Sequence, residues 1–155
     1  MNSESREFLV GEQQQGATKI AEFSIETLPT GYLVCAPGGK VGQIGKATLI
    51  QASDIEGVTG WAHCAAMFGF KLFYLEAGSG AAVPVSPELI SSAAAVSGLT
   101  IFVGGGISDG DAAHAAVVAG ANWIVTGTLT ENCHDLSDLR NKLSDLITTM
   151  TQSSS

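Results

Sequence analysis

Short, uninterrupted apolar runs alternate along this chain with longer segments in which apolar residues recur every three or four positions. The uninterrupted runs predict buried β-strands, and the spaced pattern predicts amphipathic helices. Strand and helix signals that alternate in this way are typical of a parallel α/β fold. The predicted strands are Tyr32–Ala36, Leu72–Glu76, Thr100–Val103 and Trp123–Val125, with a short fifth strand at Phe8–Val10.

Helix signals occupy most of the intervals between these strands. Ser86, Pro87 and Glu88 supply an N-cap, a proline at the first helical position and an acid in the first turn. Ser108 with Asp111 resembles a capping box. The predicted helices are Gln13–Phe23, Ile55–Phe68, one that begins at Ser86, one from Ser108 to Gly120, and Leu136–Met150; the glycine-rich segment Pro37–Gly45 is predicted as a loop.

Both ends of the chain are polar, so we expect residues 1–7 and 151–155 to be disordered and residues 8–150 to form one domain. The opening sequence MNSESREF lacks the apolar core of a signal peptide, and no apolar run reaches the roughly 18 residues of a membrane span. These features predict a cytoplasmic protein.

The formal net charge is −8, and no basic stripe of the kind found in nucleic-acid binders is present. A bound anion would therefore have to be held by local backbone donors rather than by the overall charge. Cys35, Cys64 and Cys133 are odd in number and lack metal-ligand spacing, which predicts reduced thiols and no metal site in this chain.

Three successive predicted strands end in unusual loops: YLEAGSG at Tyr74–Gly80, VGGGIS at Val103–Ser108 and TGT at Thr126–Thr128. Glycines at strand ends let backbone N–H groups face an anion, and a helix that begins at Ser108 would add its positive dipole end. Parallel α/β folds bind ligands at this edge, and TIM barrels hold phosphate after strands 7 and 8. The alternatives are glycines that only make tight turns and a dinucleotide fold, although GGGISDG departs from GxGxxG.

Glu76 ends an otherwise apolar strand and points toward the same edge. A buried carboxylate is costly unless it is paired or hydrogen-bonded. Glu76 could cap the loop amides of Gly78–Gly80, or it could accept hydrogen bonds from the hydroxyls of a substrate. Tyr74 lies on the same face of the strand, two residues earlier, and this pair suits a polyol phosphate.

Together these segments resemble geranylgeranylglyceryl phosphate synthase, the archaeal ether-lipid prenyltransferase. The similar segments are YLEAGSGA at Tyr74–Ala81, VGGGIS at Val103–Ser108, GANWIVTGT at Gly120–Thr128, and LPTGYLVCAPGGKVGQIGKA at Leu28–Ala47. The resemblance extends in one collinear order over Phe8–Leu129. It implies a TIM-type (β/α)8 barrel of about 250 residues, of which this chain would form the C-terminal half.

The resemblance also implies an activity: transfer of a geranylgeranyl group from geranylgeranyl diphosphate to the 3-hydroxyl of sn-glycerol 1-phosphate, with Mg²⁺, in ether phospholipid biosynthesis. The aspartates that bind Mg²⁺ in this family belong to the N-terminal half, so no counterpart is expected here. Ser108 stands where the family commonly has arginine, which removes a cation near the phosphate.

By position, the resemblance implies that Glu76 contacts the glycerol hydroxyls and helps to deprotonate the attacking one. The loop Pro37–Gly45 would lie near the entrance of the prenyl groove. The implied substrate-binding residues are Tyr74, Leu75, Glu76, Ala77, Gly78, Ser79 and Gly80 for glycerol phosphate, and Gly105, Gly106, Gly127 and Thr128 for its phosphate through backbone amides.

Two other functions remain open at this point: another barrel enzyme that acts on a sugar phosphate, and a non-catalytic half-barrel that binds phosphate. Strands that are apolar on both faces need cover on both, and an open half-barrel leaves two edges and one face exposed. We therefore expect the chain to pair, either with the missing half or with another copy of itself.

Overall fold

The computed structural model describes residues 1–151, in which four parallel strands alternate with helices. This confirms the α/β class. The strands are β1 (Thr30–Val34), β2 (Leu72–Glu76), β3 (Thr100–Gly104) and β4 (Trp123–Val125). The helices are α1 (Glu12–Glu22), α2 (Gly39–Ile44), α3 (Ile55–Met67), α4 (Pro87–Ala94), α5 (Gly110–Val118), α6 (Thr128–Glu131) and α7 (Leu136–Met150).

The four strands form one sheet in the order β1-β2-β3-β4, and every neighbouring pair is parallel. Strand order therefore follows chain order without the reversal at which doubly wound folds bind dinucleotides. Helices α3, α4 and α5 pack against the sheet, and α7 packs against α5. This topology argues against the dinucleotide-binding alternative.

Alternate strand residues point to opposite faces of the sheet. One face lies against the helices, and its side chains form the core: Leu33, Phe73, Leu75, Ile101 and Val103 are buried there. Residues between them point to the other face, so the sheet has one face buried by helices and one that is open.

Four aromatic side chains stand side by side across the open face, one on each strand, and we call them the aromatic row. Strand register aligns Tyr32 with Tyr74, Tyr74 with Phe102, and Phe102 with Trp123. Successive ring centroids are 4.9, 6.2 and 5.2 Å apart, within the range for offset stacking. Trp123 is 60% exposed, so this apolar face lacks a covering layer within the described part of the chain.

The N-terminal residues are ordered, which corrects the expectation of disorder over residues 1–7. Asn2 is only 5% exposed, and its side-chain amide donates to Val34 O at 2.8 Å and to Thr48 O at 2.8 Å. The polar composition that suggests a frayed end instead supplies hydrogen bonds to strand β1. Thr151 follows α7 in a turn, and the remainder of the predicted tail, residues 152–155, lies outside the described residues.

Two predicted elements have a different structure. Phe8–Val10 lies in a π-helical turn, Glu7–Gly11, which leads directly into α1, and it is not a strand. Its apolar residues Leu9 and Val10 are largely exposed rather than buried in a sheet. The predicted loop Pro37–Gly45 contains helix α2.

The N-cap of α5 is Asp109 and not Ser108. The Asp109 carboxylate accepts a hydrogen bond from Ala112 N at 2.9 Å, whereas the Ser108 hydroxyl donates to Asp109 at 3.3 Å. The helix thus begins later than predicted, and the Asp109 carboxylate occupies its amino end. The positive dipole end expected beside the glycine loop is therefore neutralised locally by the chain's own acid.

We expect Asp109→Ala to lower the free energy of unfolding by about 1 kcal/mol, because it removes the acceptor for an otherwise unpaired helix amide. Ser108→Ala should change it by less than about 0.5 kcal/mol. Urea denaturation followed by circular dichroism checks both values. A larger loss for Ser108→Ala than for Asp109→Ala would contradict this assignment of the cap.

None of the helices within residues 1–151 combines the length and the hydropathy needed to cross a bilayer.

Candidate functional site

A cavity of about 380 Å³ opens at the carboxyl ends of β2, β3 and β4. The three predicted loops all contribute to its wall, so the strand ends that lie apart in sequence meet in one place. Eight predicted site residues line it, namely Tyr74, Glu76, Ser79, Gly80, Gly105, Gly106, Gly127 and Thr128, together with Ala81, Ile107, Ser108, Val125 and Thr126.

Backbone amides are the polar groups that these loops offer to a ligand. None of the hydrogen bonds within residues 1–151 uses the amide N–H of Gly106, Gly127 or Thr128 as a donor. The Thr126 hydroxyl donates to Ile107 O at 3.0 Å and holds the last two loops together. Unused amides in a fixed concave arrangement are the donors that bind anions in glycine-rich loops.

Gly105 stands where the loops after β2 and β3 approach most closely. Its φ is +83°, and a Cβ built on it would lie 2.5 Å from Glu76 Oε1 and 2.6 Å from Gly78 N. Both the backbone conformation and the space therefore require glycine.

Glu76 is 9% exposed and is the only residue with a charged side chain among those described as lining the cavity. Its Oε1 accepts a hydrogen bond from Gly78 N at 2.6 Å, and its Oε2 accepts one from the Tyr32 hydroxyl at 3.2 Å. The carboxylate thus caps the loop amide, as one interpretation predicted, and still faces the cavity, as the other required. Each carboxylate oxygen thus accepts one hydrogen bond, and these two bonds offset the cost of burying the charge.

Tyr32 is a site residue that the sequence analysis missed. It stacks on Tyr74 and donates to Glu76 from the neighbouring strand. Burial, followed by the charge of Glu76, raises the pKa of both tyrosine hydroxyls. Burial and Glu76 also raise the pKa of the Cys35 thiol to about 12. The two tyrosines therefore remain protonated donors at neutral pH.

Tyr32 and Tyr74 are the two tyrosines of the chain, so an alkaline titration reports on this site. The folded protein should form phenolate well above the ordinary pKa of about 10, while the denatured chain should titrate near it. Because folding raises both pKa values, the stability that this difference provides is complete below pH ~10 and declines as the pH rises through the folded values.

Ultraviolet absorbance of phenolate, measured in buffer and in denaturant, tests this prediction. Tyr32→Phe leaves one tyrosine and should keep the titration of Tyr74 raised, because burial is the larger cause. Superimposable titrations of the folded and denatured chain would contradict the buried environment described here for the two tyrosines.

The structure does not bring Leu75 and Ala77 to the cavity. Both side chains are fully buried in the core on the helix side of the sheet, because they alternate with Tyr74 and Glu76 along the strand. Gly78 lies behind Glu76 as its hydrogen-bond donor. The side chains of Leu75 and Ala77 therefore cannot reach a ligand in this cavity, and their place among the substrate-binding residues stays a prediction.

Cations are scarce around the cavity. A neighbouring recess of about 430 Å³ shares Glu76 and Ser79 with it and adds Lys40 from α2. Within residues 1–151 no three His, Cys, Asp or Glu side chains are grouped so that they could hold a metal ion. Glu76 is the one carboxylate among the residues described as lining the cavity, so these residues do not by themselves supply the set of oxygen ligands that Mg²⁺ requires.

A parallel sheet with a cavity at the carboxyl ends of its strands defines the class of protein. It is an α/β protein with its candidate site at the edge where α/β barrels and open parallel sheets bind their ligands. The chain belongs to the PcrB family, whose model matches residues 1–148. This confirms the family that the motifs indicate, because curated relatives of the chain are named geranylgeranylglyceryl phosphate synthase.

The synthase from Thermoplasma volcanium is 43% identical over 142 residues, which are 91% of this chain and 56% of the relative. The solved structure of wild-type enzyme from that organism has a TM-score of 0.90 at 39% identity and covers 96% of this chain and 59% of its own. The structure of the Thermoplasma acidophilum synthase, solved with the substrate sn-glycerol-1-phosphate, has a TM-score of 0.93 at 36% identity. The match covers 98% of this chain and 60% of that structure. The chain thus spans somewhat more than half of the length of these relatives.

Proposed function

We propose that this chain supplies the glycerol-phosphate side of a prenyltransferase, in which sn-glycerol 1-phosphate is alkylated by geranylgeranyl diphosphate during ether phospholipid biosynthesis. The observation that carries the proposal is one cavity with unused amides on two glycine loops at one side and the Glu76 carboxylate at the other. A solved relative that binds sn-glycerol-1-phosphate supports the same ligand.

In this proposal, the phosphate accepts hydrogen bonds from the amides of Gly106, Gly127 and Thr128. A carboxylate repels phosphate, so Glu76 faces the glycerol end and accepts hydrogen bonds from its hydroxyls. The family commonly has an arginine at the position of Ser108, and no lysine or arginine is among the residues described as lining this cavity. The backbone amides therefore hold the phosphate without a cationic side chain.

In the proposed reaction, the 3-hydroxyl oxygen forms a bond to the first carbon of the prenyl chain while the bond from that carbon to diphosphate breaks. The hydroxyl proton passes to Glu76, and diphosphate leaves with the electron pair of the broken bond. Tyr32 donates to Glu76 Oε2 and keeps the carboxylate oriented toward the cavity. A base placed in this way typically contributes about 10²- to 10⁴-fold to the rate.

The proposal also assigns this chain to one half of a larger barrel. The sequential parallel order β1-β2-β3-β4 and the open aromatic row fit the C-terminal half of a (β/α)8 barrel, in which that row would face the interior. Any Mg²⁺ that assists the departure of diphosphate would be held by residues beyond this chain, since those described here do not fit it.

The competing sugar-phosphate enzyme receives less support from the cavity. Isomerases and aldolases of that kind need an additional lysine, aspartate or cysteine at a strand end, and the residues described as lining this cavity include none of these. Glu76 alone can accept one proton, which suffices for alkylation of a hydroxyl.

A chimaera tests the proposal. Residues 1–148 of this chain would replace the segment they match in the Thermoplasma volcanium synthase, and incorporation of labelled glycerol phosphate into a prenyl ether would be measured. We expect incorporation with sn-glycerol 1-phosphate and geranylgeranyl diphosphate, and far less with sn-glycerol 3-phosphate. A well-folded chimaera that binds neither glycerol phosphate would refute the proposed function.

A further inference from the structure

The two glycine loops at the cavity leave neighbouring strands, and we call them the β3 loop (residues 105–108) and the β4 loop (residues 126–128). Pairing between β3 and β4 ends at Gly104 and Val125. Directly after this pair, Gly105 has a φ of +83°, so the backbone leaves the extended conformation and the ladder does not continue. The spacing of the two loops therefore depends on contacts other than strand pairing.

Close packing fixes the β3 loop. A Cβ built on Gly106 would lie 2.9 Å from Pro84 N and 3.0 Å from Ala81 O, so this loop is in tight contact with the loop that follows β2. Ile107 is 4% exposed, and its side chain anchors the β3 loop in the core. The β3 loop is thus a fixed wall of the cavity, against which the position of the β4 loop can be set.

The β4 loop lacks such packing and is tied to the β3 loop by a single side chain. A Cβ built on Gly127 would meet nothing nearer than Glu131 Oε1 at 3.9 Å. The Thr126 hydroxyl donates to Ile107 O at 3.0 Å, across 19 positions of sequence. Within residues 1–151, no other hydrogen bond joins residues 105–108 to residues 126–128. The Thr126 hydroxyl therefore ties the less packed loop to the fixed one.

On the basis of the proposed function, we propose that Thr126 is a positioning residue, whose hydroxyl holds the two loops at the spacing that one phosphate group bridges. The amide of Gly106 stands on one loop, and the amides of Gly127 and Thr128 stand on the other. Thr126 lines the cavity, but its one hydroxyl proton is already donated to Ile107 O. Thr126 therefore acts through the neighbouring amides and does not donate to the phosphate itself.

The contribution of this hydrogen bond is preorganisation of the phosphate site. A ligand that binds only correctly spaced loops has an apparent Kd that rises as the fraction of correctly spaced molecules falls. Without the hydrogen bond, that fraction should fall by about five- to tenfold, the net contribution of one neutral hydrogen bond. Glu76 is held by Gly78 and Tyr32, not by the β3 or β4 loop, so the chemical step at saturating substrate should not depend on Thr126.

Three variants test the role of the hydroxyl. Thr126→Val removes it and keeps the shape of the side chain, whereas Thr126→Ser keeps it. Thr59→Val is the matched control, because the Thr59 hydroxyl also donates to a backbone carbonyl, that of Ile55 at 2.8 Å within α3. Thr59 is not among the residues described as lining the cavity. Each variant is made in the full chain for calorimetric titration and in the chimaera for steady-state kinetics.

We expect Thr126→Val to raise the Kd of sn-glycerol 1-phosphate and of inorganic phosphate by about five- to tenfold. The KM of sn-glycerol 1-phosphate should rise by the same factor, while kcat and the KM of geranylgeranyl diphosphate stay unchanged. Thr126→Ser should restore most of the affinity, and Thr59→Val should bind and turn over as the unchanged protein does.

A hydroxyl that only stabilised the fold would give another pattern. Its loss would reduce the fraction of active protein, and so lower kcat at an unchanged KM. That pattern, or equal Kd and KM values for Thr126→Val and Thr126→Ser, would overturn the role of Thr126 while leaving the proposed function intact. Absence of glycerol-phosphate binding by the unchanged chimaera would refute the proposed function, and the role of Thr126 with it.

Discussion

Gly105→Ala is expected to abolish measurable binding of glycerol phosphate, because its Cβ would force apart the two loops that line the cavity. The new Cβ would lie 2.5 Å from Glu76 Oε1, 2.6 Å from Gly78 N and 2.7 Å from Gly78 O. These are backbone and buried atoms, so relief requires the two loops to separate. The measurement is calorimetric titration of sn-glycerol 1-phosphate into the chimaera.

Gly98→Ala is the matched control for this substitution. Gly98 has a φ of +85°, close to the +83° of Gly105, but a Cβ there would meet nothing within 4 Å. Both variants therefore carry the cost of a left-handed alanine, and only Gly105→Ala disturbs the cavity. If Gly105→Ala binds as well as Gly98→Ala, the glycine loops do not form the binding site.

Glu76→Gln is expected to reduce turnover of the chimaera by about 10²- to 10⁴-fold, because the amide cannot accept the hydroxyl proton. The amide oxygen can still accept from Gly78 N, and the Tyr32 hydroxyl can rotate to accept from the new NH₂ group, so the local structure should be kept. Binding of inorganic phosphate should be unchanged or slightly stronger, since a negative charge is removed.

Steady-state kinetics and phosphate titration of the same Glu76→Gln sample separate a chemical role from a structural one. Tyr32→Phe is the companion variant: it removes one hydrogen bond to Glu76 and should lower turnover by less than Glu76→Gln does. A parallel fall of turnover and phosphate binding in Glu76→Gln would assign the carboxylate to holding the loop of Gly78 and would contradict its role as a base.

The strands and loops with strong local signals could be predicted from the sequence. Leu72–Glu76 and Trp123–Val125 have the predicted bounds because each consists mainly of an apolar run that follows a polar residue. The glycines that follow β2, β3 and β4 could be placed at one edge of the sheet, because the carboxyl ends of parallel strands all lie at the same edge.

Features that depend on the register of strands could not be predicted in this way. Tyr32 donates to Glu76 across 44 positions of sequence, and only the pairing of β1 with β2 reveals it. The aromatic row likewise requires four strands in register. Asn2 was missed for another reason: its side chain imitates a strand neighbour, which a polar terminal sequence does not indicate.

The observed cap of α5, Asp109, lies one residue after the predicted cap, Ser108. Both side chains can cap a helix. The backbone after Gly106 decides the matter by placing the Asp109 carboxylate over the amide of Ala112. The Asp109 carboxylate also offsets the positive end of the helix dipole that was expected beside the cavity.

In the proposed complex, the amides of the two glycine loops hold the phosphate of glycerol phosphate. Nuclear magnetic resonance of the nitrogen-15-labelled chimaera, titrated with sn-glycerol 1-phosphate, can observe each of these amides separately. We expect large saturable shifts of the Gly106, Gly127 and Thr128 amides, with Gly60 and Gly69 in and after α3 unmoved. Shifts confined to other residues, or no saturable shift at these three amides, would contradict this arrangement.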